Sequence, residues 1–278
     1  MNPEEYQKLE LLDAKHWYYT GKRKLVLRWL RRYIQLKKDD LFVDVGCGMG
    51  NLLSEVEGHC RLVGIDCSRE SICRARSRIS SIGGHLLRAR IEELPLASGS
   101  AIAITVLDVL EHLDNDSSGL REVIRVVRPG GIIIVTVPAL RWLWSDWDDA
   151  LHHRRRYTKR ELIRLCGLGN VEVLFCSYFN SIMLPVIFLV RLLRRVLGRR
   201  ALRAEDRMPP RMLNGLLRAI MVWPGCWSWF QPPIGVSLIA ILRRRAPTVL
   251  CVPGSTQSGT QVGNNTNVGR SQVSRKIL

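Results

Sequence analysis

The chain has 278 residues, a 46% hydrophobic share and a formal net charge of +17. That length holds one α/β domain with an appendage. Charge is unevenly placed: residues 1–120 carry 17 basic and 17 acidic side chains, residues 121–245 carry 22 and 8, and residues 246–278 carry three and none. The eight cysteines include no Cys-x-x-Cys pair and no His partner at zinc spacing, which excludes a zinc module; no metal is expected, and the cysteines read as small reduced hydrophobes.

The N-terminus, Met-Asn-Pro-Glu-Glu, is acidic and has no signal-peptide core, so a cytoplasmic location is the expectation. Residues 3–35 read as helix broken at Thr20-Gly21, with Leu25, Val26, Trp29, Leu30 and Tyr33 at helical spacing. Residues 1–40 thus form cap helices before a core at 41–177. An apolar run, Leu41-Phe-Val43, ends in Asp44-Val-Gly46-Cys47-Gly48-Met-Gly50. A buried strand that breaks into a glycine turn before a helix is a cofactor-binding design, because the ligand can approach the main chain there. Asp66 closes the next apolar run, ~20 residues on, where an acidic side chain takes ribose hydroxyls; its bland alternative is a cap for the helix near Arg69.

Strands are predicted near 41–45, 61–65, 85–88, 101–107 and 131–137, and helices near 51–57, 69–82 and 116–128. Pro129-Gly130-Gly131 is read as the stop between the last helix and the last of these strands. Such alternation means a parallel sheet with helices on both faces. Residues 139–157 are predicted to form a polar, Trp-rich loop, followed by a helix at 159–166 and strands at 171–176 and 235–242. The fold class is therefore α/β: a Rossmann-like, doubly wound, mostly parallel seven-stranded sheet, with N-terminal helices and a helical insertion at 178–233 before the last strand at 234–245. The uncharged run Tyr178–Val190 is too short to cross a bilayer, which needs ~20 residues. The insertion is either a lid on the sheet or, with its Arg and Trp flanks, a foot in the membrane interface. Residues 246–278, rich in Gly, Ser, Thr, Asn and Gln, are expected to be disordered.

Taken together, these segments resemble class I S-adenosylmethionine-dependent methyltransferases of the type 11 group, over about His16 to Leu242. The resemblance implies S-adenosyl-L-methionine as cofactor, with Asp44, Gly46, Cys47, Gly48 and Gly50 around its methionine part and Asp66 on its ribose. Asp108-Val-Leu-Glu-His112 resembles the segment lining the cofactor pocket, and Arg128-Pro-Gly-Gly131 the family's helix-to-strand turn. Glu92-Glu93-Leu94-Pro95 matches the adenine segment, but Arg90 stands where the family usually has Asp, so Glu92 or a backbone carbonyl is the expected substitute. Ala101-Ile102 replaces the usual Phe-Asp at the fourth strand. His16-Trp17-Tyr18 with Gly21-Lys-Arg23, and Leu143-Trp-Ser145 through Asp148 to His153-x-Arg155-Arg156-Tyr157, resemble a narrower subgroup.

Methyl transfer is an in-line displacement with a neutral leaving group, so positioning supplies much of the acceleration. His153 is the candidate base where the acceptor must lose a proton. His112 and Glu111 lie beside the expected methyl site, as pocket wall or as catalytic groups, and Arg155 and Arg156 are candidates to clamp a carboxylate or phosphate. His16, Trp17, Trp144 and Tyr157 are the candidate acceptor contacts. The leading expectation is a methyltransferase for a small-molecule or lipid-linked acceptor at the inner face of a membrane, touching anionic lipid. Alternatives are an RNA methyltransferase using the basic half, or a catalytically silent binding protein on the same fold.

Overall fold

The computed structural model describes residues 10–56, 60–167, 169–197, 208–225 and 227–246. The start of the expected first helix, residues 3–9, and the expected disordered tail from 247 on lie outside them.

Seven strands form one sheet in the order β3-β2-β1-β4-β5-β7-β6. They are β1 (Leu41–Val45), β2 (Arg61–Asp66), β3 (His85–Arg88), β4 (Ala101–Leu107), β5 (Val127–Pro138), β6 (Val171–Phe179) and β7 (Ser237–Arg244). The pairs β1–β2, β2–β3, β1–β4 and β4–β5 are parallel. Strand β7 runs antiparallel between β5 and β6.

Apart from the edge strand β3, whose residues are exposed or half-buried, the strands are largely buried on both faces, so their sequences read as apolar runs rather than alternating ones. Alternation reappears in what each side chain packs on. Ile133, Val135 and Val137 of β5 join one core with Leu120 and Val123 of helix α4 (Asp116–Val126) and Leu162 of α6 (Lys159–Cys166). Ile132 and Ile134 join the other core, with Leu25, Val26 and Trp29 of α1 (Trp17–Tyr33), Leu53 of α2 (Asn51–Ser54) and Ile79 of α3 (Arg69–Ser81).

Local chemistry sets the helix ends. Ser68 and Asn115 accept from the backbone N–H three residues on, capping α3 and α4. Thr158 and Glu161 form a reciprocal capping box at α6. The N-terminal helix is not broken at Thr20-Gly21. Helical residues 10–15 end at His16, which caps α1, and α1 then runs unbroken through Gly21. Gly21 is tolerated because Met221 of α8 (Arg211–Gly225) packs where its side chain would stand. The expected stop at Pro129-Gly130-Gly131 is also displaced: α4 ends at Val126, and β5 starts at once, with Gly130 at φ 79° and a register shift opposite Ala101–Ala103. Ala101 and Ile102, the departure from the family pattern, are both buried.

The stretch 139–157 is less open than expected: it contains a 3-10 turn at Arg141–Leu143 and a short helix, α5 (Asp146–Ala150). The insertion supplies α7 (Leu184–Leu197) and α8. Helix α8 docks against α1: Asn214 accepts from Trp17 N–H at 2.7 Å and Trp29 Nε1 donates to Gly225 O at 3.0 Å. No helix among the described residues is long and apolar enough to cross a membrane.

Candidate active site

The order β3-β2-β1-β4-β5 reverses direction between β1 and β4, so a crevice opens at their carboxyl ends. The glycine turn sits there. Gly46, Gly48 and Gly50 have φ of 74°, 50° and 74°, conformations that side chains rarely adopt. At Gly50 a methyl group would stand 2.7 Å from Ile79 Cδ1, so helix α3 closes on the turn. Over Gly48 nothing lies within 4 Å of an added carbon, leaving that rim open to a ligand.

Asp66 stands at the end of β2 and reaches across to the turn. Its Oδ2 accepts from Gly48 N–H at 2.9 Å and its Oδ1 from Ser68 N–H at 2.8 Å. The carboxylate thus joins the ends of β1 and β2 and also orders the start of α3. Cys47 is buried, and burial pushes its thiol well above the ordinary range, so it packs as a hydrophobe. Asp44 is buried as well and takes a hydrogen bond from Thr105 Oγ1 at 2.6 Å. Burial, only partly opposed by that bond, raises its carboxyl to about 7.

The N-terminal elements cover this end of the sheet. Asp13 accepts from Asn51 Nδ2 at 2.6 Å and from Arg23 at 2.8 Å, and Arg23 also binds Glu55 at 2.7 Å. Buried Lys22 donates to Asp108, whose other oxygen accepts from Thr136 Oγ1 at 2.8 Å. Asp108 follows β4 with φ 53°, and its carboxylate meets α1 through Lys22. Burial alone would push Asp108 up and Lys22 down, but their mutual charge outweighs it, so Asp108 lies below and Lys22 above the usual range. The rings of Tyr18 and Tyr19 lie 5.2 and 5.4 Å from the Lys22 ammonium. Burial raises the Tyr18 hydroxyl to about 12.

A second cluster follows β4 and α5. His112 and His153 meet edge to face, with ring centroids 4.8 Å apart. Burial, then the neighbouring His153, lowers the His112 pKa. Asp148, fully buried, accepts from His153 Nδ1 at 2.9 Å, from Arg156 at 2.7 and 2.9 Å, and from Ser145 N–H at 2.9 Å. Burial works to raise Asp148, but the bonds from His153 and Arg156 prevail and hold it well below the carboxylate range. Glu111 is fully buried beside this cluster, and neither carboxylate oxygen has a hydrogen-bond partner among the described residues. Burial, then Asp108, raises its pKa well above the ordinary value.

The residues singled out in the sequence therefore divide. Gly46, Cys47, Gly48, Gly50 and Asp66 converge at the ends of β1 and β2. His112 and His153 meet behind β4, with Arg156 reaching them through Asp148. Arg156 also donates to Ala139 O at 2.9 Å, so its guanidinium is committed to the fold. Arg155 binds Asp116 at 3.0 Å and the carbonyls of Leu113 and Asp114, and Tyr157 donates to the same Asp116 at 2.9 Å. Both brace α4 rather than offer free donors. Trp144 donates to Asp149 at 2.9 Å within its own loop. His16 is buried as the cap of α1, where burial lowers its pKa, and Trp17 packs beside it. Glu92 accepts from Arg90 at 3.1 Å through Oε1, while its Oε2 is buried without a partner among the described residues. Cys67, Arg88, Ala89 and Arg90, the first of them following Asp66 in the chain, line an open depression.

Lys22 and Asp148 are the site residues whose roles the sequence did not disclose. One signal existed for Lys22: a lysine on the apolar stripe that also carries Leu25, Val26 and Trp29 must have a buried partner.

These features have counterparts in known proteins. The family described as "Methyltransferase domain" matches residues 43–135. The ubiquinone biosynthesis O-methyltransferase of Dechloromonas aromatica is 34% identical over 167 residues, covering 53% of this chain and 71% of that protein. A protein of Mycolicibacterium smegmatis named as a probable S-adenosylmethionine-dependent methyltransferase is 28% identical over 136 residues, covering 47% and 51%. In fold, the methyltransferase bound to the Haloferax volcanii Trm112 activator superposes with a TM-score of 0.58 at 15% identity, covering 85% of this chain and 93% of that one. The chain spans about half the length, or less, of the first curated relatives it matches.

Proposed function

The chain belongs to the class I S-adenosylmethionine-dependent methyltransferases of the type 11 group, and on that footing we propose that it methylates a small or lipid-linked acceptor at a membrane surface. The observation that carries the transfer reading is the glycine turn braced by Asp66 at the switch point of the sheet. The open rim over Gly48 and the partnerless Glu92 Oε2 both fit a bound S-adenosylmethionine. Gly46, Gly48 and Gly50 would hold its methionine part, Asp66 its ribose, and Glu92 its adenine edge, the role left open by Arg90. That cofactor supplies a methyl group on a sulfonium, an electrophile whose leaving group is neutral.

The protein's own part is then to bind, orient and exclude water. Lys22 and Asp108 tie α1 to the end of β4, and Asp13 and Arg23 tie the same segment to α2 and the residue after it. Asp148 on Nδ1 fixes the His153 ring and leaves Nε2 as its nitrogen for an acceptor proton. Holding acceptor and donor in line can supply ~7–11 kcal/mol of the barrier in favourable cases.

The membrane part rests on the insertion. Helix α7 exposes Val186, Phe188, Leu189 and Leu192; α8 exposes Met212, Leu213, Leu216 and Trp223, and Trp229 lies just beyond. Solvent-facing apolar helices of this kind, in a half with 22 basic and 8 acidic residues, match the composition of interfacial helices on anionic lipid.

The test is calorimetric titration of S-adenosylmethionine and S-adenosylhomocysteine into wild type and Asp66→Ala. The expected result is micromolar binding that weakens at least tenfold in the variant, ~1.4 kcal/mol. Absence of binding to folded wild type would overturn the transfer reading.

A further inference from the structure

We propose that Glu111, His112 and His153 are the ligands of one divalent transition-metal cation at the acceptor side of the crevice. The sequence offered no metal site, because its histidines lack local spacing. The fold creates one by bringing the 3-10 turn Leu110–His112 against the segment after α5. One ligand atom from each of the three side chains lies within 4.8 Å of the other two.

Polar pairing around the site is incomplete among the described residues. Three carboxylates gather there. Asp108 has Lys22 and Asp148 has Arg156. Glu111 is fully buried, and both its oxygens lack a hydrogen-bond partner among the described residues. A buried polar group in that state carries a desolvation cost of several kcal/mol unless something binds it. The two groups beside it are imidazoles, which are ligands for a metal ion.

The surroundings are those of a ligand set held in place from behind. Metal-bound histidines characteristically give their other ring nitrogen to a carboxylate, which fixes the ring and raises its basicity. His153 has this arrangement: Nδ1 is on Asp148 at 2.9 Å, so Nε2 is the nitrogen left for a metal. Asp148 is itself immobilised by two bonds from Arg156 and one from Ser145 N–H. The backbone carrying the other two ligands is pinned as well. Arg154 N–H donates to Glu111 O at 2.8 Å, and Arg154 Nε donates to His112 O at 2.9 Å.

The donor set selects the ion. Two imidazoles and one carboxylate suit Zn²⁺, Fe²⁺ or Co²⁺ better than Mg²⁺ or Ca²⁺, which prefer oxygen alone. Donors around a tetrahedral ion at ~2.0–2.1 Å lie roughly 3.4 Å apart. Closing that gap asks for a small rotation of the His112 ring, the exposed member of the three. Three protein ligands leave a position open. Under the methyl-transfer reading, on which this role rests, that position would take an acceptor oxygen beside the cofactor, and the ion, rather than His153 Nε2, would then ease loss of the acceptor proton.

The experiment is titration of Co²⁺ into the chelator-treated full chain, followed by visible absorption and by displacement with Zn²⁺. Wild type is expected to take one ion per chain. Glu111→Gln and His112→Gln are each expected to weaken it at least tenfold; His112 is exposed, so its variant will fold. A folded wild type that takes neither ion at millimolar concentration overturns the proposal. So does binding that is equal in wild type and both variants, since the ion then sits elsewhere. S-adenosylhomocysteine titration of the same preparation separates the two readings: cofactor binding without metal refutes the metal site alone, and metal binding without cofactor refutes the transfer reading alone.

Discussion

Asp148→Ala is expected to be among the most damaging single changes outside the apolar core. The carboxylate is fully buried and bound by Arg156 at 2.7 and 2.9 Å, with Arg156 itself 5% exposed. Removing it leaves a buried guanidinium with one remaining acceptor, Ala139 O. Breaking one side of such a pair costs about 3–5 kcal/mol, because the uncompensated charge stays buried. For a domain of this size that lowers the melting temperature by roughly 6–20 °C. The folded Asp148 carboxyl is held below its ordinary range, so its contribution is present at neutral pH and is lost only as acid protonates it. The assay is urea unfolding of wild type, Asp148→Ala, Arg156→Met and Asp148→Leu/Arg156→Met at neutral pH. The double variant, which buries no charge, should recover most of the loss. A shift below ~1 kcal/mol in Asp148→Ala, or a double variant whose loss is the sum of the singles, would refute the pairing argument.

Two further outcomes follow from the same structure. Asp44 is held near 7 by burial against an ordinary 3.8, so the folded state keeps a proton that the unfolded chain releases. Stability should therefore fall as pH rises from about 4 to 7, by up to roughly 4 kcal/mol. Asp44→Asn should flatten that slope and stabilise the protein at pH 8; superimposable pH–stability profiles for the two proteins would contradict the assignment. Trp223 and Trp229, 65% and 74% exposed, should carry much of any membrane contact. Replacing both with Ser should reduce co-flotation with phosphatidylserine vesicles at least tenfold, and a wild type that does not float with them would remove the membrane from the proposal.

Much of the core was legible because it is local. The apolar runs at 41–45, 61–65 and 101–107 became β1, β2 and β4 almost residue for residue. The glycine turn and Asp66 could be read together since each closes its own strand. What was hidden depends on contacts remote in the chain. Lys22 meets Asp108 across 86 positions, and Trp17 meets Asn214 across 197. The helix break moved from Gly21 to His16 because α8 covers Gly21, a fact no window of α1 contains. Arg155 and Arg156 looked like free clamps in sequence; their acidic partners, Asp116 and Asp148, became visible only once the loop was folded back. His112 and His153 were named singly, and only the fold made them neighbours.

The antiparallel strand β7 has a consequence for how the chain is made. Pro138 of β5 pairs with Ser237, and Val171 of β6 with Arg244. Every residue between β5 and its neighbour must leave the ribosome before that edge can be covered. At synthesis rates of ~5–20 residues per second, the Ile132–Val137 edge waits on the order of 5–20 s with its backbone unpaired. During that time a strand apolar at every position but Thr136 is a template for another nascent chain. A chain stopped before Ser237 should therefore aggregate rather than persist as a smaller domain, and chaperone demand should peak late in translation, not early.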